Sequence, residues 1–184
     1  KIARAIPESR FPQEVFEKEL QRLSQKISFK TLSKKIDNDL FLEMRDSYSF
    51  MIIAVGADVS RKLNIPGSDQ AIGALDFLRK AKCRSSESDV QLDVRVGKKV
   101  VIIGAGNVGC DAATEAHRLG AREITLIDIQ KPASFGKERK AAEEIGAKFL
   151  WPVFPKAIHA EGVEMAEGKM LKADTVIVAI GDIP

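Results

Sequence analysis

The sequence is short of the residues that usually staple or metallate a small fold. Its two cysteines, Cys83 and Cys110, are too few for a disulfide framework and have no metal-ligand spacing. Two histidines, His117 and His159, form no H-x-x-x-H pair, so a zinc site is not expected. No apolar run approaches the ~18 residues of a membrane helix; the longest cover residues 50–57, 100–105 and 175–181. No charged start followed by an apolar core marks a secretory signal, and a cytoplasmic protein is expected. The net charge is only +3, with 29 basic and 26 acidic residues, and no basic stripe is interleaved with aromatics. Neither nucleic acid nor a membrane is therefore an expected partner. The first residue is Lys1 rather than methionine, and Pro184 directly follows an apolar strand. An excerpt of a longer protein is the expectation.

What is present is the composition of a packed globular fold, 45% hydrophobic and 30% charged. Apolar residues at three- and four-residue spacing predict a helix over 12–25 and another over 71–82. Residues 27–31, 40–44 and 50–55 are predicted strands, the last an unbroken apolar run. A Pro-Gly pair predicts a turn over 63–69, and the polar, serine-rich stretch 83–96 reads as a linker. Beyond it the pattern becomes βαβαβ: strand 99–103, helix 107–119 closed by Gly120, strand 124–128, helix 137–145 closed by Gly146, strand 147–151. That alternation predicts a parallel sheet with right-handed crossovers. Residues 156–160, 162–166 and 169–172 read as a small antiparallel β-meander, and 175–180 as a final buried strand.

Chemistry enters at V-V-I-I-G-A-G-N-V-G, residues 100–109, a G-x-G-x-x-G between a predicted strand and a predicted helix. Thirteen glycines in 184 residues give roughly 0.06 such matches by chance, before the flanking context is required. Gly104 permits the tight turn, Gly106 lets the backbone approach a pyrophosphate, and Gly109 lets the helix pack closely. The intervening Ala105, Asn107 and Val108 carry helix-start N–H groups that face the phosphates. Asp128 ends the second strand, where a carboxylate binds the adenosine ribose hydroxyls and repels a 2′-phosphate. Ile129 and Gln130 follow it with no arginine, which favours NAD(H) over NADP(H). Lys131, Lys137 and Arg139 are the cations that would hold a 2′-phosphate if one were bound. No acid–base catalytic group is identified. Cys110 reads as a core thiol, and the single Tyr48 has no lysine four residues on to make a Tyr-x-x-x-Lys pair. Two strand ends echo one another, Ala54-Val55-Gly56 and Ala179-Ile180-Gly181, and both triplets are candidate cofactor-binding positions.

These motifs carry a resemblance. I-P-E-S-R-F-P (6–12), A-V-G-A (54–57), L-N-I-P-G (63–67), A-L-D-F-L (74–78), G-A-G-N-V-G-C-D (104–111), R-L-G-A (118–121) and A-I-G (179–181) occur in order from end to end. As a set they resemble the glutamate synthase small-subunit-like flavoproteins, within the pyridine nucleotide-disulfide oxidoreductase class that carries two dinucleotide-binding domains. The resemblance implies an α/β protein: a Rossmann-like NAD(P)-binding domain over 97–184, and a partial FAD-domain segment with its linker over 1–96. It implies NAD(P)H and, in the full-length protein, FAD as cofactors. It also implies electron flow to an iron–sulfur partner or a large subunit. The family's FAD-binding glycine motif is absent from these 184 residues. Its paired arginines after the second strand are replaced here by Ile129-Gln130 and, on the next loop, F-G-K-E (135–138), departures that point to NADH.

Two functions remain in view. In the first, hydride passes from the nicotinamide to flavin, which accounts for the missing acid–base pair because the cofactors carry the chemistry. In the second, the chain is an NAD(H)-sensing module with no hydride transfer. A dehydrogenase acting directly on a small substrate lacks candidate catalytic residues.

Overall fold

The computed structural model describes residues 5–28, 30–57, 59–83 and 95–183. Most of the predicted linker lies outside these residues, as does the side chain of Cys83.

Five parallel strands form the central sheet: β2 (Ile72–Gly73), β3 (Lys99–Ile103), β4 (Glu123–Ile127), β5 (Lys148–Leu150) and β9 (Thr175–Val178). Their order is β2-β9-β3-β4-β5. The β3–β4 register runs Lys99↔Glu123 to Ile103↔Ile127, and the β3–β9 register Val100↔Thr175 to Ile103↔Val178. Helices α3 (Ala74–Cys83), α4 (Asn107–Arg118) and α5 (Gly136–Glu144) cover one face. An antiparallel meander of β6 (Pro155–His159), β7 (Gly162–Met165) and β8 (Met170–Lys172) covers the other.

The three layers follow from alternation along the strands. Val100 and Ile102 point into the helical core with Phe77, Cys110, Leu126 and Ile177. Val101 and Ile103 point into the meander core with Ile127, Ile158, Val163 and Val178. A strand buried on both faces has no polar positions, which is why β3 and β9 read as unbroken apolar runs. The predicted β-α pattern after the linker therefore appears with boundaries shifted by a residue or two.

Before the linker the sequence pattern misleads. Residues 40–44, expected as a strand, lie within helix α2 (Asn38–Ser47). The Asp37 carboxylate accepts a hydrogen bond from the Leu40 N–H at 2.9 Å, which caps that helix. Residues 27–31 form no strand among those described. Ile27 closes α1 (Gln13–Lys26), its N–H bonding to the Leu23 carbonyl. Residues 50–55 also form no strand: Phe50, Ile52 and Val55 are 80%, 78% and 77% exposed. An apolar run becomes a buried strand only when a ladder takes up its backbone groups, and no described strand pairs with this one.

The sheet reaches back across the expected boundary at residue 97. β2 pairs with β9, and α3 packs on α4 with Phe77 fully buried. The Arg118 guanidinium donates to the Ala81 carbonyl at 3.0 Å and to the Glu115 carboxylate, tying α4 to α3. A short ribbon pairs β1 (Val59–Ser60) with β10 (Asp182–Ile183), fixing the segment after Gly56 beside the end of β9.

Phe77→Ala should destabilise the fold by about 3–5 kcal/mol in denaturant unfolding, the cost of a large buried cavity. Phe50→Ser should change it by less than about 0.5 kcal/mol, because that ring is already in solvent.

Candidate dinucleotide-binding site

The carboxyl ends of the parallel strands share one edge. From β3 the chain crosses to β4 and β5 on one side, then returns to β9 on the other. This reversal is the switch point at which open α/β sheets bind ligands. A crevice of about 450 Å³ opens there, lined by Gly104, Gly106, Asp128, Ile129, Ala179 and Ile180 among others.

The glycine turn is shaped by what lies against each glycine. Gly104 has φ +106°, its N–H donates to the Ile127 carbonyl at 2.8 Å, and a Cβ there would sit 2.4 Å from the Ala179 carbonyl oxygen. A Cβ on Gly109 would sit 2.2 Å from the Gly104 carbonyl oxygen, so the first turn of α4 rests directly on the strand-to-helix turn. Gly106 differs from both: a Cβ there would meet nothing within 4 Å. The space above its backbone is open toward the crevice. Gly106 also caps α4 without a side-chain hydrogen bond, leaving first-turn N–H groups for a ligand.

Asp128 faces this turn across the crevice. Its Oδ2 accepts from the Ala105 N–H at 2.9 Å and its Oδ1 from the Gln130 N–H at 3.2 Å. The carboxylate thus braces the glycine turn from a position that lines the crevice, and the Ala105 N–H, expected to face a phosphate, is engaged by Asp128 instead.

Other predicted positions are distributed unevenly. Asn107 Oδ1 accepts from the Phe135 N–H at 2.9 Å, fixing the loop after β4 to the start of α4. Val108 is half exposed on the first turn. The Gly181 carbonyl accepts from the Arg61 N–H at 3.0 Å. Lys131 and Lys137 are exposed and do not line the crevice. Arg139 is already engaged: its guanidinium lies 3.6 Å from the Phe149 ring centroid, bonds Glu143 at 2.6 Å and reaches Ser134 at 3.4 Å. Ala54, Val55 and Gly56 are exposed and are not among the lining residues. The sequence reading missed Arg61, which lines the crevice from the β1–β10 ribbon.

It also missed the partners of Asp111. Arg10 spans two helices, pairing with Asp111 on α4 and Glu138 on α5. Burial pushes the Asp111 carboxyl up to about 6, with Arg10 opposing and Glu138 and Glu115 adding to the rise. The neighbouring Cys110 is fully buried, and burial raises its thiol above the ordinary range despite Ser134 and Arg139. It is the core thiol that its apolar surroundings predicted. His117 lies exposed on α4, and His159 pairs with Glu164 at 3.1 Å on the meander. Among the described residues no cluster of His, Cys, Asp and Glu could hold a metal, and no helix is long and apolar enough to cross a membrane.

Fold and crevice together define a Rossmann-type dinucleotide-binding protein. Residues 2–184 match the family model for pyridine nucleotide-disulphide oxidoreductases, and the chain belongs to that family. It is 28% identical to the NADPH-Fe(3+) oxidoreductase subunit beta of Geobacter sulfurreducens, over 100% of this chain and 31% of that protein. It is 25% identical to the NAD-dependent dihydropyrimidine dehydrogenase subunit PreT of Escherichia coli K12, over 98% and 44%. It is 29% identical to a Cereibacter sphaeroides protein provisionally named glutamate synthase small chain, NADPH type, over 92% and 44%. The chain thus spans between about a third and under half the length of these relatives. In fold it is similar to a 2-naphthoyl-CoA reductase, with a TM-score of 0.64 and 24% identity over 91% of this chain and 24% of that one. The thioredoxin reductase of T. acidophilum gives a TM-score of 0.53 at 19% identity over 68% of this chain and 42% of that one.

Gly109→Ala should lower stability by about 1–3 kcal/mol, because its methyl group must displace the Gly104 carbonyl; thermal unfolding measures it. Asp111 supplies a pH signature. Its folded-state value lies above the unfolded 3.8, so the folded protein binds the extra proton and loses stability as pH rises from about 4 to about 6.5. The stability of the wild type relative to Asp111→Asn should fall across that window by on the order of 1–3 kcal/mol, read from denaturant midpoints.

Proposed function

We propose that this chain is the nucleotide-binding part of a flavoprotein oxidoreductase, taking NADH in preference to NADPH. One observation carries the reading: Gly104 and Gly106 of an open-topped glycine turn and the strand-end carboxylate of Asp128 line a single crevice at the switch point, beside a helix start that no side chain caps. The residues fit the group. A pyrophosphate needs backbone N–H donors and no Cβ in its way, and Gly106 with the start of α4 supplies both. A ribose diol needs a carboxylate acceptor, and Asp128 lines the same cavity. The bound nicotinamide supplies the hydride. The protein's work is to position it: among the described residues the charged side chains lining the crevice are Asp128, assigned to the ribose, and Arg61.

Preference for NADH is supported by charge. The cation best placed on α5, Arg139, is stacked on Phe149 and paired with Glu143, and Asp128 repels a 2′-phosphate. The relatives' names divide between NADPH and NAD and do not decide the matter. The nucleotide unit is assigned to residues 97–184, with β2 and α3 completing its sheet. FAD is proposed as the second cofactor of the full-length protein, supported by the family to which the chain belongs, with residues 1–96 proposed as part of its FAD domain. A partner subunit is supported by relatives that are themselves named as subunits, and an iron–sulfur or large-subunit acceptor is part of the same proposal.

Titration of the intact protein with NADH and NADPH tests the reading. NADH should bind about tenfold more tightly, a difference of roughly 1.4 kcal/mol. Asp128→Asn keeps an acceptor for the Ala105 N–H but removes the charge, and should bring the two affinities together. Tighter binding of NADPH would overturn the cofactor assignment, and failure to bind either nucleotide would overturn the site.

A further inference from the structure

Among the described residues that line the crevice there is one anion and one cation. The anion is Asp128, at the end of β4. The cation is Arg61, and nothing in the glycine motif anticipates it. The two approach from opposite sides of β3. Asp128 follows β4, whereas Arg61 is bonded through its N–H to Gly181, three residues past the end of β9. The backbone carrying Arg61 is fixed by the β1–β10 ribbon, with Val59↔Ile183 and Ser60↔Asp182 in register and Ser60 Oγ bonded to Asp182 Oδ1 at 3.2 Å. Its side chain is exposed and makes no ion pair among the described residues. Arg61 also lines an adjoining cavity of about 570 Å³ whose other charged lining residues are Lys62, Asp69 and Asp76.

A dinucleotide laid across this edge with its adenosine ribose on Asp128 places its pyrophosphate over Gly106 and its second nucleotide toward Ala179 and Ile180. We propose that Arg61 binds the phosphate on the nicotinamide side of the pyrophosphate, and so selects dinucleotides over mononucleotides. This rests on the crevice being the NAD(H) site. The helix start donates neutral N–H groups to a doubly charged ligand, and a guanidinium adds a charge-assisted, two-pronged contact that the glycine turn lacks. The arrangement complements the ligand end to end: a carboxylate for the diol, open backbone for the bridge, a guanidinium for the distal phosphate.

The test is binding of NADH, ADP-ribose and 5′-AMP to the intact protein and to its Arg61→Ala and Arg61→Lys variants. ADP-ribose and NADH carry the distal phosphate; 5′-AMP does not. Arg61→Ala should weaken NADH and ADP-ribose about tenfold or more, the loss of one charged hydrogen-bonded contact, and leave 5′-AMP within about twofold. Arg61→Lys should recover part of the loss, since the charge remains without the fork. Equal weakening of all three ligands would overturn the contact in favour of a diffuse field effect. Unchanged binding of all three would overturn it outright. Failure of the wild type to bind NADH or ADP-ribose would instead remove the nucleotide-site reading on which the proposal rests.

Discussion

The close approach of three chain segments around Gly104 is the constraint on which the crevice depends. The end of β3, the residue following β9 and the first turn of α4 meet with no room for a methyl group: one added to Gly104 would strike the Ala179 carbonyl, and one on Gly109 the Gly104 carbonyl. Because the contacts are backbone to backbone, no rotamer change relieves them. They fix the direction in which α4 leaves the sheet, and with it the aim of the helix-start N–H groups. They also fix the distance between β3 and β9, and therefore where the β1–β10 ribbon can sit. A ligand-binding surface assembled from strand ends, a helix start and a distant ribbon thus inherits its accuracy from one crowded spot.

Asp128 adds an electrostatic consequence. A strand-end carboxylate at the rim of an open crevice costs side-chain entropy to hold in one orientation. Here the Ala105 N–H orients it in advance, so little ordering remains to be done on binding. The same hydrogen bond stiffens the turn between the two glycines. One residue therefore serves as structural brace and recognition group, and a substitution that removes both its charge and its acceptor cannot separate the two roles.

How much of this was legible in the sequence varies along the chain. After residue 97 nearly every element was, because the strands are buried on both faces, the helices are amphipathic, and glycines follow the helices at Gly120 and Gly146 with positive φ. Before it, three strand readings failed for two different reasons. In residues 40–44 a local cap at Asp37 favoured helix over an apolar cluster compatible with either. Residues 50–55, and those of 27–31 that are described, have no pairing partner among the described residues, which no local pattern reveals. The site divides in the same way. Gly104, Gly106 and Asp128 announce themselves by spacing, whereas Arg61 reaches the crevice through a ribbon whose strands lie more than a hundred residues apart. The ion pairs of Arg10 with Asp111 and Glu138 are equally nonlocal, and nothing near either carboxylate hints at them.

The exposed run Phe50-Met-Ile-Ile-Ala-Val55 has a consequence of another kind. It combines six uncharged residues, high strand propensity and no proline or glycine, and most of its side chains stand in solvent. Its backbone carries no ladder among the described residues. Those are the properties of a segment that stacks on copies of itself into dry, interdigitated sheets. Such self-association would start from this exposed hexapeptide, some fifty residues before the nucleotide turn, and a segment or partner that covered it would also guard against assembly.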